Sequence, residues 1–246
     1  MLGVYAVLDL HCHILPNLDD GAQTMDESLE MAALAASSGV HYIFATPHCN
    51  TRDPRKNYRS APLIAAYETL QQALDDRQIP ITILSGAEVL ARGDFEAHLE
   101  AEDFMTLNGS RYLLTEFYFD EAPAYMEHCL QAVEAARLVP VIAHPERYFC
   151  IQRNPGLATD WAERGRILQI NKGSLLGTLG QSACLTAALL LRRAVNPVIA
   201  SDAHRVNLRS PHMGPLLELL DRSFPEIDPR LVLHTLPLKI AKDETV

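Results

Sequence analysis

VHYIFATPH, residues 40–48, is a near-continuous run of apolar, β-branched and aromatic residues that stops in a histidine. A run without polar alternation is the mark of a strand buried on both faces, as in parallel sheets covered by helices. The same outline returns in VYAVLDLH, PITILSGAE, RYLLTEF, VPVIAHPER, RILQINKGS and NPVIASDAH. Between most of these runs lie helical patterns. TMDESLEMAALAASSG offers Thr24 or Asp26 as N-cap and Gly39 as a stop, with Leu29, Ala32, Ala33 and Ala36 at core spacing. SAPLIAAYETLQQALDDRQ and APAYMEHCLQAVEAARL follow the same plan. Strands alternating with helices predict an α/β fold with a parallel sheet. Seven units without a G-x-G-x-x-G turn point to a (β/α) barrel more than to an open doubly wound sheet. One domain over residues 1–246 is expected, since no linker, repeat or low-complexity tract interrupts the chain.

Composition narrows the function. A formal net charge of −10 with scattered Lys and Arg argues against a nucleic-acid surface. The opening MLGVYAVLDLHCHILP has no basic segment ahead of its apolar residues, so a signal peptide is not expected. No apolar run reaches the roughly 18–20 residues that span a bilayer. Five cysteines without regular spacing fit a reducing cytoplasm better than a disulfide framework.

Six of the seven runs end in a residue able to bind metal: His11 and His13, His48, Glu88, Glu116, His144, then Asp202 and His204. In a parallel barrel all strand C-termini open on one face, where chemistry is assembled. His11 and His13 are two apart, so an extended strand turns both to one side. Alone, such a pair is more often structural, but a polar residue at six buried strand ends needs a shared purpose. Adding Asp20 from PNLDDG gives five histidines and four carboxylates, the ligand set of Mn²⁺, Fe²⁺ or Zn²⁺ and enough for two or three ions. Arg147 and Arg209 follow metal-bearing strand ends and suit bidentate contact with phosphate. The constellation reads as a multinuclear phosphoesterase.

A competing motif overlaps it. His48, Cys49 and Arg55 spell H-C-x5-R, the outline of a cysteine-dependent phosphatase loop. That loop wraps its backbone N–H groups around phosphate. Here it has no glycine, Pro54 removes an N–H, Asp53 adds a negative charge, and the next helix does not start before about Ser60. The functional residue is therefore expected to be His48.

The segment DLHCHILPNLDDGAQTMDESLEMAALAASSGVHYIFATPH, with GAEV, LLTEF, IAHPERY, INKGSLLG and IASDAHRVNLRSPHM, resembles the polymerase-and-histidinol-phosphatase (PHP) superfamily from about residue 8 to about residue 215. More narrowly, it looks like the bacterial metal-dependent tyrosine-protein phosphatases of capsule and exopolysaccharide operons. The resemblance implies a distorted (β/α)7, TIM-like barrel carrying three metal ions, usually manganese. By motif, His11, His13, Asp20, His48, Glu88, Glu116, His144, Asp202 and His204 match the metal ligands, and Arg147 and Arg209 the phosphate-binding arginines. Lys172 and Ser210 depart from the pattern in ways that bear on substrate preference. The implied reaction is hydrolysis of phosphotyrosine by a metal-activated hydroxide, with Asp202 or His204 as proton donor. The implied partner is the tyrosine-rich tail of a membrane-associated autokinase controlling polysaccharide export. A small-molecule phosphatase such as histidinol phosphatase is the runner-up, and a metal-stabilised binding protein without turnover the third reading.

Overall fold

The computed structural model describes residues 5–52 and 56–246. The seven apolar runs appear as nine strands, because two of them break. β1 is Val7–Cys12. The second run divides into β2 (Val40–Ala45) and β3 (His48–Cys49), and the third into β4 (Thr82–Ser85) and β5 (Glu88–Leu90). The remaining runs give β6 (Tyr112–Glu116), β7 (Val139–Ala143), β8 (Ile167–Asn171) and β9 (Val198–Ala200). The first break falls at Thr46-Pro47, where proline has no N–H for a ladder. The second falls at Gly86, whose missing Cβ would sit 3.1 Å from Thr46 Cγ2, so a glycine lets the two breaks lie side by side.

Every strand pairing is parallel, in two sheets ordered β1-β2-β4 and β3-β5-β6-β7-β8-β9. The last station meets the first through a parallel bridge between Cys12 and Ala203. His13 N donates to Ala203 O at 2.8 Å and Asp202 N to His11 O at 2.9 Å. Buried Asp9 adds a side-chain staple, accepting from both the backbone N and the Oγ of Ser201. The expected distorted barrel is therefore present, built from two sheets and a bridge instead of one unbroken ladder.

Helices cover its outside: α1 (Met25–Ala36), α2 (Ala61–Asp76), α3 (Phe95–Glu100), α4 (Pro123–Ala135), α5 (Phe149–Arg153), α6 (Gly156–Glu163), α7 (Lys172–Leu175), α8 (Gln181–Arg193) and α9 (Gly214–Ser223). Thr24 caps α1, accepting from Glu27 N at 3.2 Å, and Ser60 caps α2 as its position anticipates. The face of α1 is rotated from expectation. Leu29 and Ala32 are buried, but Met31 and Ala35 complete that face while Ala33 is exposed. The larger side chain, Met31, decides which stripe turns inward.

One apolar cluster joins alternate residues of several strands, among them Leu8 and Leu10, Tyr112 and Leu114, Val141 and Ala143, Val198 and Ala200. Continuing those period-2 phases toward the C-terminal ends reaches Glu116 and Asp202, and on β8 runs from Ile167 to Gln169 and Asn171. The same face is thus apolar at its base and polar at its top. The base is plugged by α10 (Leu236–Ala241), whose Leu236 and Ile240 belong to that cluster. The C-terminal tail is tied down: Tyr112 Oη donates to Glu244 O at 2.7 Å and Arg111 Nε to Asp243 Oδ1 at 2.9 Å.

Candidate metal centre

Strand register brings the site together. His48 of β3 lies directly opposite Glu88 of β5, and Leu90 opposite Glu116 of β6. β1 contributes His11, and His13 follows its last residue, across a register shift between Asp9 and Cys12. Two further residues reach the site through unusual backbone: His144 has φ 32° and Asp202 φ 49°. Non-glycine residues in the left-handed region are uncommon and gather where a side chain must be aimed.

Three overlapping groups place ligand atoms within 4.8 Å of one another: His13, Asp20, His48 and His204; His11, His13, Glu88 and Asp202; His48, Glu88 and Glu116. They share His13, His48 and Glu88. His144 joins them through Nε2, 3.0 Å from Glu88 Oε1 and 3.6 Å from Glu116 Oε1. All nine residues singled out as ligands therefore meet in one cleft. Most are buried, whereas the Asp20 side chain is 63% exposed at the rim, 3.3 Å from His204 Nε2.

The donor set fits divalent cations. Among the described residues, His48 Nδ1, Glu88 Oε2, His144 Nδ1 and His204 Nε2 are buried with no hydrogen-bond partner, a costly state for a polar atom. The electrostatics agree. Burial pushes the Glu116 carboxyl well up, and Glu88 and Asp202 push it further. Burial also opposes ionisation of Glu88, but the His11 ring outweighs it and holds that carboxyl well below its usual range. Burial lowers His48, His144 and His204, keeping neutral rings with lone pairs for a cation.

Other residues, beyond those that end the apolar runs, aim this set. Asp19, not Asp20, is the buried member of its pair. Its Oδ2 accepts from His13 Nδ1 at 2.6 Å and His48 N at 2.9 Å, while Oδ1 accepts from Gly21 N at 2.9 Å. A Cβ on Gly21 would stand 2.1 Å from the His13 carbonyl oxygen, so this turn requires glycine. From β8, Gln169 Oε1 meets His11 Nδ1 at 2.8 Å and Asn171 Nδ2 donates to Asp202 Oδ2 at 2.7 Å. β8 was the one run without an assigned ligand, yet Gln169 and Asn171, two polar residues on one face of an apolar strand, were a visible signal.

Arg147 and Arg209 also converge on Asp202 Oδ2, at 3.5 and 2.9 Å. The carboxylate thus divides its work: Oδ1 faces His11 and His13 at 3.6 and 3.5 Å, while Oδ2 holds both guanidinium groups and Asn171. Lys172 Nζ donates to the carbonyls of Ser210 and His212 and so braces the segment bearing Arg209. The two departures from the expected pattern, Lys172 and Ser210, therefore touch.

Cys49 is fully buried on β3, and burial pushes its thiol up to about 12, which removes the thiolate a cysteine phosphatase needs. The rest of that motif, Asp53 to Arg55, lies outside the described residues. Histidines outside the ligand set have partners of their own: His98 pairs with Asp103, His128 with Glu96, and His41 and His234 with backbone carbonyls, while His212 flanks Gly214.

A parallel barrel with histidines, carboxylates and two arginines at the C-terminal ends of its strands defines a metal-dependent hydrolase. The chain belongs to the family described as capsular polysaccharide synthesis, CpsB/CapC, whose profile matches residues 7–240. Tyrosine-protein phosphatase YwqE of Bacillus subtilis is 38% identical over 218 residues, 89% of this chain and 85% of that protein. Tyrosine-protein phosphatase CpsB of Streptococcus pneumoniae is 27% identical over 98% of this chain and 100% of its own. A crystal structure from work on YwqE and CpsB, described there as metal-dependent tyrosine phosphatases, superposes with a TM-score of 0.87 at 34% identity, covering 97% of this chain and 96% of that one. An Escherichia coli phosphotriesterase homology protein, at TM-score 0.59 and 12% identity over 95% and 97% of the two chains, shares the fold alone. Among the described residues no helix is long and apolar enough to cross a membrane.

Proposed function

We propose that this protein hydrolyses phosphotyrosine on a protein substrate, at the cleft formed by His11, His13, Asp20, His48, Glu88, Glu116, His144, Asp202 and His204. The observation that carries the reading is the meeting of Arg147 and Arg209 on Asp202, beside overlapping groups of cation ligands. The named tyrosine phosphatases among its relatives favour phosphotyrosine over a small-molecule phosphate. Divalent cations held by these ligands supply positive charge to phosphoryl oxygens and make water more acidic. Three overlapping ligand groups support as many as three ions, and their nitrogen and carboxylate donors suit Mn²⁺, with Fe²⁺ or Zn²⁺ as alternatives.

The chain itself does the orienting. Arg147 and Arg209 hold the equatorial phosphoryl oxygens and neutralise charge as it develops there. Asp202 positions both arginines. With three N–H donors on Oδ2 and its carboxyl held well below the usual range, mainly by His11 against the opposing effect of burial, it is an anchor and not an acid. His204 donates from Nδ1 to the Asp202 carbonyl at 3.0 Å, which leaves Nε2 as a ligand. The departing phenolate, with a reference pKa of about 10, needs no strong acid. The tail of an autophosphorylating tyrosine kinase of polysaccharide export, met in the cytoplasm, is the substrate this reading favours.

The test is hydrolysis of a phosphotyrosine peptide by wild type, His48→Ala and Cys49→Ser, after metal stripping and after Mn²⁺ addition. Activity should vanish on chelation, return with Mn²⁺, survive in Cys49→Ser and be absent in His48→Ala. Chelation-resistant turnover that depends on Cys49 would overturn the reading.

A further inference from the structure

Cations and guanidinium groups grip any phosphomonoester, so the cleft described above cannot by itself tell an aryl phosphate from an alkyl one. The residues at its rim can. Eight large apolar side chains are exposed among the described residues, and four of them lie on segments following β6, β7 and β9: Tyr118 at 36%, Phe119 at 37%, Phe149 at 49% and Leu208 at 59%. Of these, Phe119 and Phe149 adjoin one another through the Phe149 N–Phe119 O hydrogen bond, and adjoining exposed apolar groups mark recognition whereas scattered ones need no explanation.

Phe119 is the member closest to the chemistry. Its ring meets that of His144 edge-on at 6.1 Å, and Arg147 Cζ lies 4.4 Å from its centroid. Arg147 therefore touches Phe119 with one side while its Nη1 reaches Asp202. The loop carrying Phe119 is held from both directions: Phe117 N donates to Tyr148 Oη at 3.2 Å, and Phe149 N donates to Phe119 O at 2.8 Å. Tyr148 is itself buried and donates to Ala143 O at 2.8 Å. An exposed ring on a braced loop loses little freedom on meeting a ligand, which is what a preorganised contact requires.

We propose that Phe119 is a specificity-determining residue: its ring forms a wall against the phenyl ring of the substrate and selects aryl phosphates at this site. The proposal rests on the phosphatase reading. A phosphoryl group held by Arg147 leaves its ester substituent beside the aromatic ring that Arg147 covers. Offset or edge-on contact between two rings is favourable beyond the area it buries, and an alkyl chain cannot make it.

The experiment uses the Mn²⁺-loaded enzyme with p-nitrophenyl phosphate as reporter, and measures competitive inhibition by phenylphosphonate and by methylphosphonate. Inhibition constants compare aryl and methyl groups without any difference in leaving-group reactivity. Wild type should prefer phenylphosphonate by about tenfold. Phe119→Leu keeps an apolar cover on Arg147 but removes the ring, and should bring the ratio below about threefold. Phe119→Tyr should restore it. A ratio unchanged in Phe119→Leu would overturn the proposal. Equal weakening of both inhibitors would also overturn it, since Phe119 would then only position Arg147. If the loaded wild type hydrolyses no phosphomonoester, the phosphatase reading fails and takes this one with it. An active wild type that does not discriminate sinks this proposal alone.

Discussion

Asp19 and Asp20 show how much a single carboxylate's surroundings decide. They are neighbours in one D-D-G turn, yet Asp19 is buried against His13 and His48 while Asp20 stands at the rim. Burial opposes ionisation of Asp19, but His13 outweighs it and brings the carboxyl down to about 2. Replacing Asp19 by Asn should weaken metal affinity about 10–100-fold by freeing the His13 ring, with no ligand removed. Mn²⁺ titration followed by calorimetry would check this, and unchanged affinity would refute the orienting role. Glu146 gives a second test. Its buried carboxyl accepts from Asn171 N at 2.9 Å, and burial raises its pKa to about 7. The unfolded carboxyl titrates near ~4.3, so between those values the folded protein binds the extra proton. Its contribution to stability is present below the lower value and is lost as pH rises toward 7. Glu146→Gln should therefore gain on wild type between about pH 4.5 and 7 and hold that gain above it. Denaturation midpoints of metal-free protein across that range would show the trend, and a pH-independent difference would exclude it. At this scale the ligands were legible as polar residues ending apolar runs. Their orienting partners were less so, because in D-D-G either carboxylate could turn inward.

β8 and the segment after β9 work as supports for the cleft. β8 carries none of the nine ligands, but it sets His11 through Gln169 and Asp202 through Asn171. At its end, α7 begins with Lys172, which braces the Arg209 segment by two backbone carbonyls. Burial lowers the pKa of Lys172, and the nearby Asp9 carboxyl opposes that shift. Lys172→Met should let Arg209 drift, lowering kcat/KM for a phosphotyrosine peptide by about tenfold, with kcat itself reduced. An unchanged kcat/KM would contradict this. Element types were readable from periodicity, with Thr24 one of two candidate caps for α1 and Ser60 the expected start of the next helix. The breaks at Thr46-Pro47 and Gly86 were not, since a proline and a glycine within apolar runs reveal their effect only once the strands lie side by side.

Across the whole molecule, one barrel face is apolar at the base and polar at the top, and α10 seals the base. Ile240→Ala should cost about 2–5 kcal/mol, because the site is enclosed and cannot collapse easily. A urea midpoint that does not move would show that α10 is dispensable. The seven βα units, the parallel arrangement and the residue types of the cleft follow from the sequence by itself, because strand burial and strand ends leave a local pattern of apolar runs and polar stops. Tertiary structure alone decided that two sheets and a Cys12–Ala203 bridge close the circle, that Asp19 lies beneath the histidines, and that both arginines share one carboxylate oxygen. These depend on register and on contacts between residues as far apart as Asp9 and Ser201, and no local pattern encodes the distance between two strand ends.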